Sequence, residues 1–219
     1  MQRHPEVRVL VLTGAGDKAF AAGADIAEFA TERADAKQAK AYGDLIHQTM
    51  QSVANCKHPT VAMIKGACVG GGLEIAACCD MRICGESSKF GAPINKLGLT
   101  MGFGELQGLL ALVGRAVALE ILLEGRVFGA AEALQKRLVN RVVPDDQFEA
   151  EAYAMAKRIA DGAPLVARWH KQFIRRLTPQ AAPLTQAELD ANFDYFKTED
   201  CRIGYDAFIR KQKPAFKGR

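Results

Sequence analysis

Several features that mark particular classes of protein are missing from this sequence. The formal net charge of the 219 residues is only +4, which is too small to indicate a nucleic-acid-binding protein. None of the six cysteines forms a C-x-x-C pair, and the four histidines show no metal-ligand spacing, so no metal site is predicted. We expect no apolar stretch to reach the ~18 residues of a membrane span, and no secretory signal in the polar first residues.

The composition is that of an ordinary soluble globular protein. Apolar residues make up 49% of the chain and charged residues 25%, and the length suits one domain, or one domain with a helical appendage. Four of the cysteines lie among Ala, Val, Ile, Leu and Met, which favours buried reduced thiols and a cytoplasmic protein. The last ten residues contain five cations and no acid, and this charge alone favours a solvated tail.

The hydrophobic pattern divides the chain into two parts. Up to about residue 145, short buried strands alternate with helices, and the rest of the chain has a helical pattern. This organisation indicates an α/β core followed by an all-helical C-terminal section. The main predicted strands cover 7–13, 60–65, 81–84 and 138–143, and the predicted helices cover 34–55, 72–79, 104–113, 116–124, 130–137, 147–161, 164–177, 184–197 and 199–212.

The most informative segment is a glycine triplet, Gly70 to Gly72, which leads directly into an apolar helix with Glu74 in its first turn. Glycines leave backbone N–H groups uncovered, and a helix N-terminus directs them at a negative charge. A second bare turn, Ala21 to Ala24, follows the first predicted strand. Two such turns can each donate one N–H to the same oxygen and form an oxyanion hole, with Glu74 beside it as a proton-transfer group. The structural alternative is a tight turn for close packing, with an acid favoured by the helix dipole.

These segments resemble the crotonase family, the enoyl-CoA hydratase and isomerase superfamily. The resemblance covers nearly the whole chain and rests on the segments 11–20, 60–80, 89–93, 120–128 and 207–218, which occur in the family's order. It implies an α/β fold, a crotonase-like spiral of strand-strand-helix units over 1–145 that lacks the family's front section. A helical oligomerisation section would follow over 146–219. Family members are trimers or dimers of trimers.

The resemblance also implies an activity. It predicts an enoyl-CoA hydratase or isomerase that acts on acyl-CoA thioesters, with coenzyme A as part of the substrate and no metal or redox cofactor. It assigns the oxyanion hole to the backbone N–H groups of Ala24 and Gly71, and the acid–base role to Glu74. A carboxylate in a helix that is apolar nearly all round supports this catalytic interpretation.

Coenzyme A binding is carried over to two groups of residues. The backbone around Ala22, Ala24 and Ile26 would hold the adenine and pantetheine end of the cofactor moiety. Phe208 and Lys211 match tail residues that reach the coenzyme A of a neighbouring subunit. A phenylalanine in a helix core and a solvated lysine remain equally good interpretations of these two positions.

The sequence departs from the family's hydratases at Ile94. Those enzymes place a second glutamate directly after the proline that is Pro93 here, because hydration needs one group to activate water and another to protonate the α-carbon. Glu105 is an acid nearby in sequence that could complete the pair, but its place in the first turn of a helix also suits a structural, dipole-favoured acid. With Glu74 alone, a 1,3-proton shift is easier to write than hydration, and decarboxylation is also open.

Two other classes of function compete with this one. Gly14, Gly16 and Ala19 follow a strand in the G-x-G-x-x-A pattern, which is found in NAD-dependent oxidoreductases. The context is wrong, since the next buried strand begins only at Thr60, too late for a βαβ unit of ~30 residues. The other alternative is a non-catalytic or weakly active acyl-CoA-binding protein, which Ile94 favours.

Overall fold

The computed structural model describes residue 4 and residues 6–32, 35–178 and 182–219 of the chain. Within these residues the strands lie in the first two thirds of the sequence, and helices alone follow the last strand. The strands are β1 (Leu10–Thr13), β2 (Ala19–Ala21), β3 (Thr60–Ile64), β4 (Ala67–Val69), β5 (Met81–Gly85), β6 (Lys89–Gly91), β7 (Phe128–Gly129) and β8 (Arg141–Val143).

The strands form two four-stranded sheets, to which the chain contributes alternately. One sheet has the order β1-β3-β5-β8, with parallel neighbours throughout. The other has the order β2-β4-β6-β7, with β6 and β7 antiparallel. The chain therefore gives one strand to each sheet, crosses by a helix and repeats. This arrangement confirms the predicted α/β spiral of strand-strand-helix units.

Helices cross between the strand pairs and make up the C-terminal part of the described chain. Three short 3-10 helices accompany them, at Ile26–Glu28, Pro93–Leu97 and Asp194–Lys197. The α-helices are α1 (Phe29–Glu32), α2 (Ala36–Ala54), α3 (Gly71–Cys78), α4 (Phe103–Glu124), α5 (Ala130–Gln135), α6 (Phe148–Ala160), α7 (Pro164–Leu177), α8 (Gln186–Ala191) and α9 (Glu199–Ile209). Ala34, where the first predicted helix (34–55) begins, lies outside the described residues.

The core lies where the central strands meet α3. All five residues of β3 are buried, because a parallel strand between two neighbours is covered on both faces. Leu73 and Ala76 of α3 are each only 1% exposed, and this helix packs against α4 and β4. The helix that follows the glycine triplet is therefore held in the interior, which fixes the position of its first turn.

The helix α4 covers Phe103–Glu124 and is broken at Gly114, whose non-helical dihedral angles (φ 74°, ψ 171°) divide it into two helical halves. This break confirms the prediction of two helices at 104–113 and 116–124. By length and apolar composition alone the whole 22-residue segment is sufficient to cross a membrane, which differs from the expectation that no apolar stretch reaches that length. The kink at Gly114 divides the segment near its middle.

Two further differences are local. The predicted helix 184–197 is interrupted, because the Phe193 ring packs directly on Gly43 of α2 between the end of α8 and the start of the 3-10 helix. The sequence does not predict β4, since its flanking glycines suggest a turn, yet 67–69 pairs with both β2 and β6. The segment after β1 leads into β2 and not into a helix, which agrees with the rejection of the dinucleotide-binding pattern on its context.

Candidate active site

The two turns that the sequence singles out lie side by side. β2 and β4 are parallel neighbours, so the turns that follow them leave the sheet at the same edge. A methyl group placed on Gly23 would lie 3.4 Å from the Val69 carbonyl oxygen and 3.8 Å from the Gly71 nitrogen. Gly70 has a φ of +55°, a conformation that side chains rarely adopt, and its N–H donates to the Gly91 carbonyl at 2.9 Å. The backbone of one turn is therefore packed directly on the other.

Gly72 explains why the contact is so close. A methyl group at this position would come within 2.1 Å of the Ala21 carbonyl oxygen at the end of β2. The first turn of α3 is thus seated against the backbone of β2, and no side chain fits between them. The glycine triplet meets the packing requirement of the structural alternative, and it also brings the two turns together.

The backbone N–H groups of Ala24 and Gly71 are among those at this junction that have no hydrogen-bond partner within the described residues. Gly71 is the first residue of α3, so its N–H lies at the positive end of the helix and receives no acceptor from the helix itself. Ala24 is exposed in the facing turn. The junction can therefore accept an oxygen that carries negative charge.

Glu74 lies one helical turn from Gly71 and is half-buried. Its Oε2 atom would be 3.8 Å from a methyl group on Gly71, so the carboxylate points back toward the helix N-terminus, as helical side chains do. The structure therefore brings Ala24, Gly71 and Glu74 to one place, as the sequence predicts. The chemical roles of these residues stay predictions.

Glu105 faces the same region from α4. It is only 6% exposed, although it lies in the first turn of its helix. One turn further along, a methyl group on Gly108 would lie 3.6 Å from the Cys78 sulfur of α3. Since Glu74 and Cys78 share one face of α3, and Glu105 and Gly108 share one face of α4, the two carboxylates lie on facing sides of the same helix pair.

The thiol of Cys78 reports the electrostatics between these helices. Burial first, and then the carboxylates of Glu105 and Glu74, raise the pKa of the Cys78 thiol to about 11. The thiol therefore stays protonated at neutral pH. A negatively charged, poorly solvated environment surrounds it.

Ile94 leaves the position of the second family glutamate apolar. It lies in the 3-10 helix Pro93–Leu97 and packs partly buried against the main core cluster. The neighbouring Asn95 turns away and donates to the Leu123 carbonyl at 2.8 Å. No carboxylate therefore comes from this 3-10 helix.

The residues predicted for coenzyme A binding fall into two places. Ala22 and Ala24 are exposed in the first turn, and Ile26 begins the 3-10 helix that Asp25 caps by accepting from the Ala27 N–H at 2.9 Å. Phe208 and Lys211 lie at the exposed C-terminal end of α9, away from the two turns; the Phe208 side chain is 52% exposed.

An apolar cavity of about 320 Å³ lies beside the first turn. It opens between the 3-10 helix Ile26–Glu28, the loop after Ile94 and α9. The apolar residues that line it include Ile26, Phe29, Leu97, Leu99 and Tyr205. Its size is within the range of small-molecule sites.

His47 is a polar residue at this site that the sequence analysis does not single out. A methyl group on Gly104, in the first turn of α4, would come within 2.1 Å of its Nδ1 atom, so the imidazole lies directly on that turn. No local pattern marks His47, because the residue is exposed on α2 and its contact with Gly104 joins positions far apart in the chain. Within the described residues, no group of three His, Cys, Asp or Glu side chains is arranged to hold a metal.

The comparison with known proteins identifies the class. The family described as enoyl-CoA hydratase/isomerase matches residues 1–219. Among the similar proteins is a crotonyl-CoA hydratase from Syntrophomonas wolfei, 36% identical over 213 residues, which cover 97% of this chain and 81% of that protein. Another is a short-chain-enoyl-CoA hydratase from Clostridium acetobutylicum, 35% identical over 221 residues, which cover 100% of this chain and 84% of that protein.

Solved structures agree with the sequence relatives. An enoyl-CoA hydratase/carnithine racemase from Magnetospirillum magneticum is 51% identical with a TM-score of 0.80, covering 100% of this chain and 81% of that one. A methylmalonyl-CoA decarboxylase in complex with 2-nitronate-propionyl-CoA has a TM-score of 0.87 at 26% identity, covering 99% and 84%. The chain therefore belongs to the enoyl-CoA hydratase/isomerase family and is a crotonase-type enzyme, as its sequence indicated.

Proposed function

We propose that this protein acts on acyl-CoA thioesters by stabilising an enolate. The thioester oxygen would lie between the N–H groups of Ala24 and Gly71, and the negative charge that develops on it would be held by two fixed donors and the end of the α3 dipole. The observation that supports the proposal is the packing of Gly23, the residue before Ala24, against the Gly71 nitrogen.

Glu74 would move the proton. Its carboxylate lies one turn from Gly71, within reach of the carbon next to the thioester carbonyl, and one carboxylate suffices to remove a proton and return it elsewhere. Glu105 is the candidate second acid, because it faces Glu74 across the α3–α4 contact. With Ile94 in the family's usual second position, a double-bond shift needs nothing beyond Glu74, whereas hydration needs one more group.

Coenzyme A would bind through the backbone around Ala22, Ala24 and Ile26, and its acyl chain would enter the apolar cavity that begins at Ile26. Phe208 and Lys211 would contact the coenzyme A of a neighbouring protomer, which their exposure at the end of α9 supports. We propose no metal or redox cofactor. A cytoplasmic location is part of the proposal, supported by six free thiols.

A homotrimer or a dimer of trimers is also part of the proposal. The support is α7, whose outer face exposes large apolar side chains that nothing in the described chain covers: Leu165, Trp169, Phe173, Ile174 and Leu177. Exposed apolar patches of this kind mark protein contacts. Further copies of the chain would cover this face.

The oxyanion hole can be tested with a matched pair of substitutions. Gly71→Pro removes the proposed donor at the first helical position, where proline is tolerated, and Gly71→Ala adds a side chain but keeps the N–H. The nearest atoms to a methyl group there are 3.8 Å away, so the side chain of Gly71→Ala fits. Exchange of the α-protons of a short saturated acyl-CoA in D₂O should fall about 10²–10³-fold in Gly71→Pro alone. Equal exchange rates in the two variants would contradict the assignment.

The role of Glu74 can be tested in the same assay. Glu74→Gln should lower α-proton exchange by about 10²–10⁴-fold while coenzyme A thioesters still bind, because only the proton acceptor is lost. Glu86→Gln, at an exposed position of the turn after β5, is the control and should exchange normally. Binding without any exchange in the unaltered protein would favour the non-catalytic alternative.

A further inference from the structure

The imidazole of His47 lies at the point where three helices meet. α2 packs against both α3 and α4, and the Gly104 contact places the ring on the first turn of α4. Any side chain at 104 would collide with the ring, since a methyl group would be 2.1 Å from Nδ1 and 2.5 Å from Cε1. The next residue along α4 is Glu105, which faces Glu74. His47 and Glu74 therefore approach the start of α4 from two different helices.

The imidazole ring of His47 is accessible to solvent and is not held by a polar contact with the described residues. His47 is exposed, and within the described residues neither ring nitrogen has a hydrogen-bond or ion-pair partner. The contrast is His58, which is fully buried and packed against Arg168. Of the two, only His47 can meet water or a ligand.

Glu105 is less suited to act on a water molecule. A methyl group on Gly102 would lie 2.2 Å from its Oε2 atom, so the carboxylate is folded back on the residue that precedes the helix. That is the position of an acid in the first turn that closes its own helix N-terminus. It is also almost completely buried. With Ile94 apolar, the water-activating role has no other carboxylate on this part of α4 and the 3-10 helix before it.

We propose that His47 is a further catalytic residue, the base that activates water for addition to an enoyl thioester. The inference rests on the proposed function. A thioester held at Gly71, with its α-carbon at Glu74, would extend its β-carbon toward the first turn of α4, where the imidazole lies. The substrates of this reaction would be short trans-2-enoyl-CoA thioesters.

Water addition would take place in two steps. An unprotonated ring nitrogen of His47 takes one proton from water as the oxygen bonds to the β-carbon, and the π pair moves to leave the enolate in the oxyanion hole. The protonated Glu74 then gives its proton to the α-carbon, and the carbonyl re-forms. The product is a 3-hydroxyacyl-CoA, and the proton on His47 returns to Glu74 through solvent.

The experiment separates water addition from α-proton transfer. His47→Gln is compared with the unaltered protein and with His4→Gln, a control at an exposed histidine whose ring contacts the Glu6 carboxylate. Each protein is given a saturated short-chain acyl-CoA in D₂O, which reports enolate formation, and a trans-2-enoyl-CoA, whose hydration is followed by NMR. We expect His47→Gln to lose hydration by about 10²–10⁴-fold and to exchange α-protons normally. His47→Asn is the second variant and should behave alike.

Each outcome of this experiment either supports or overturns the proposal. Unchanged hydration in both His47 variants would overturn the proposal, and so would an equal loss of hydration and exchange, which would indicate a structural role. Exchange without hydration in the unaltered protein would also overturn it, while the enolate half of the proposed function would stand. Absence of both reactions in the unaltered protein would instead mean that the proposed function fails.

Discussion

The helices α3 and α7 bury opposite kinds of side chain, apolar in α3 and charged in α7. α3 is apolar nearly all round and is enclosed by the strands and α4, and it directs one carboxylate, Glu74, to the site. α7 is inverted: Arg168, Lys171 and Arg175 face the core, and its large apolar residues face outward, with Leu177 82% exposed. The α/β part of the chain is therefore packed against itself, whereas the helical part retains an apolar face for another molecule.

The inward contacts of α7 are polar and specific. The Lys171 ammonium donates to the Asp80 carboxylate at 2.5 Å and to the His58 carbonyl at 3.0 Å, and Arg175 donates to the Ala54 carbonyl. Arg168 reaches the ring of His58 at 3.4 Å. These hydrogen bonds and the ion pair fix the orientation of α7. Its apolar residues are therefore held on the outer face and are not exposed through loose packing.

The largest effect should come from crowding the start of α3. Gly72→Ala places a methyl group 2.1 Å from the Ala21 carbonyl oxygen, so either α3 or β2 must move. We expect a loss of about 3 kcal/mol in the free energy of unfolding and loss of activity, measured by urea unfolding and the α-proton exchange assay.

The matched change in the helical part is Gly162→Ala, after α6. Apart from its chain neighbours, the nearest atom is the Ile159 carbonyl oxygen, which would be 3.4 Å from the added methyl group, so we expect a change below about 1 kcal/mol. A destabilisation of the same size in both variants would remove the proposed difference in packing between the two parts.

A change on the outer face of α7 should break assembly and leave the fold intact. Trp169 is 50% exposed, and Trp169→Asp puts a charge in the middle of the apolar face. A loss of about 2 kcal/mol in association free energy per contact, about thirtyfold in the dissociation constant, is expected. Sedimentation should show smaller species at a given concentration. Gln172→Asp on the same helix is the control, and an equal shift in both variants would argue against this face as the contact.

The smallest effect concerns the titration of His58, between the two parts. Burial first, and then the charges of Arg168, Lys57 and Lys171, lower the pKa of His58 below its ordinary value. The unfolded chain therefore binds the proton more readily, so stability is complete above the unfolded-state pKa of about 6.5 and declines as the pH falls below it.

This pH dependence is measurable as a slope. The urea midpoint of the unaltered protein should fall between about pH 7.5 and pH 5.5, and His58→Gln should show a shallower decline because the titrating group is gone. His4→Gln should keep the full slope. Parallel slopes for His58→Gln and the unaltered protein would exclude His58 as the cause.

The sequence predicts best those structural features that depend on one type of residue within a short segment. The strand at 60–64 and the glycine triplet are evident from a β-branched run and from consecutive glycines, and the site residues Ala24, Gly71 and Glu74 follow from them. Three things depend on distant contacts and escape a local pattern. The Phe193 ring interrupts a predicted helix because Gly43, which has no side chain, leaves room for the ring. The His47 ring packs on the first turn of α4 because Gly104 leaves room for it in the same way. The orientation of α7 depends on Asp80, far away in the chain.

The alternation of the chain between two sheets makes this part of the molecule a short stack of similar layers. Each layer, one strand from each sheet and a helix, contacts chiefly the layers above and below it, as in solenoid proteins. Stability in such a stack is close to a sum over layers and their interfaces, and opening begins at the ends. The backbone amides of β3 and β5, in the middle, should then exchange with solvent last. The two turns that follow β2 and β4 are held between the first and second layers and depend directly on one of these interfaces.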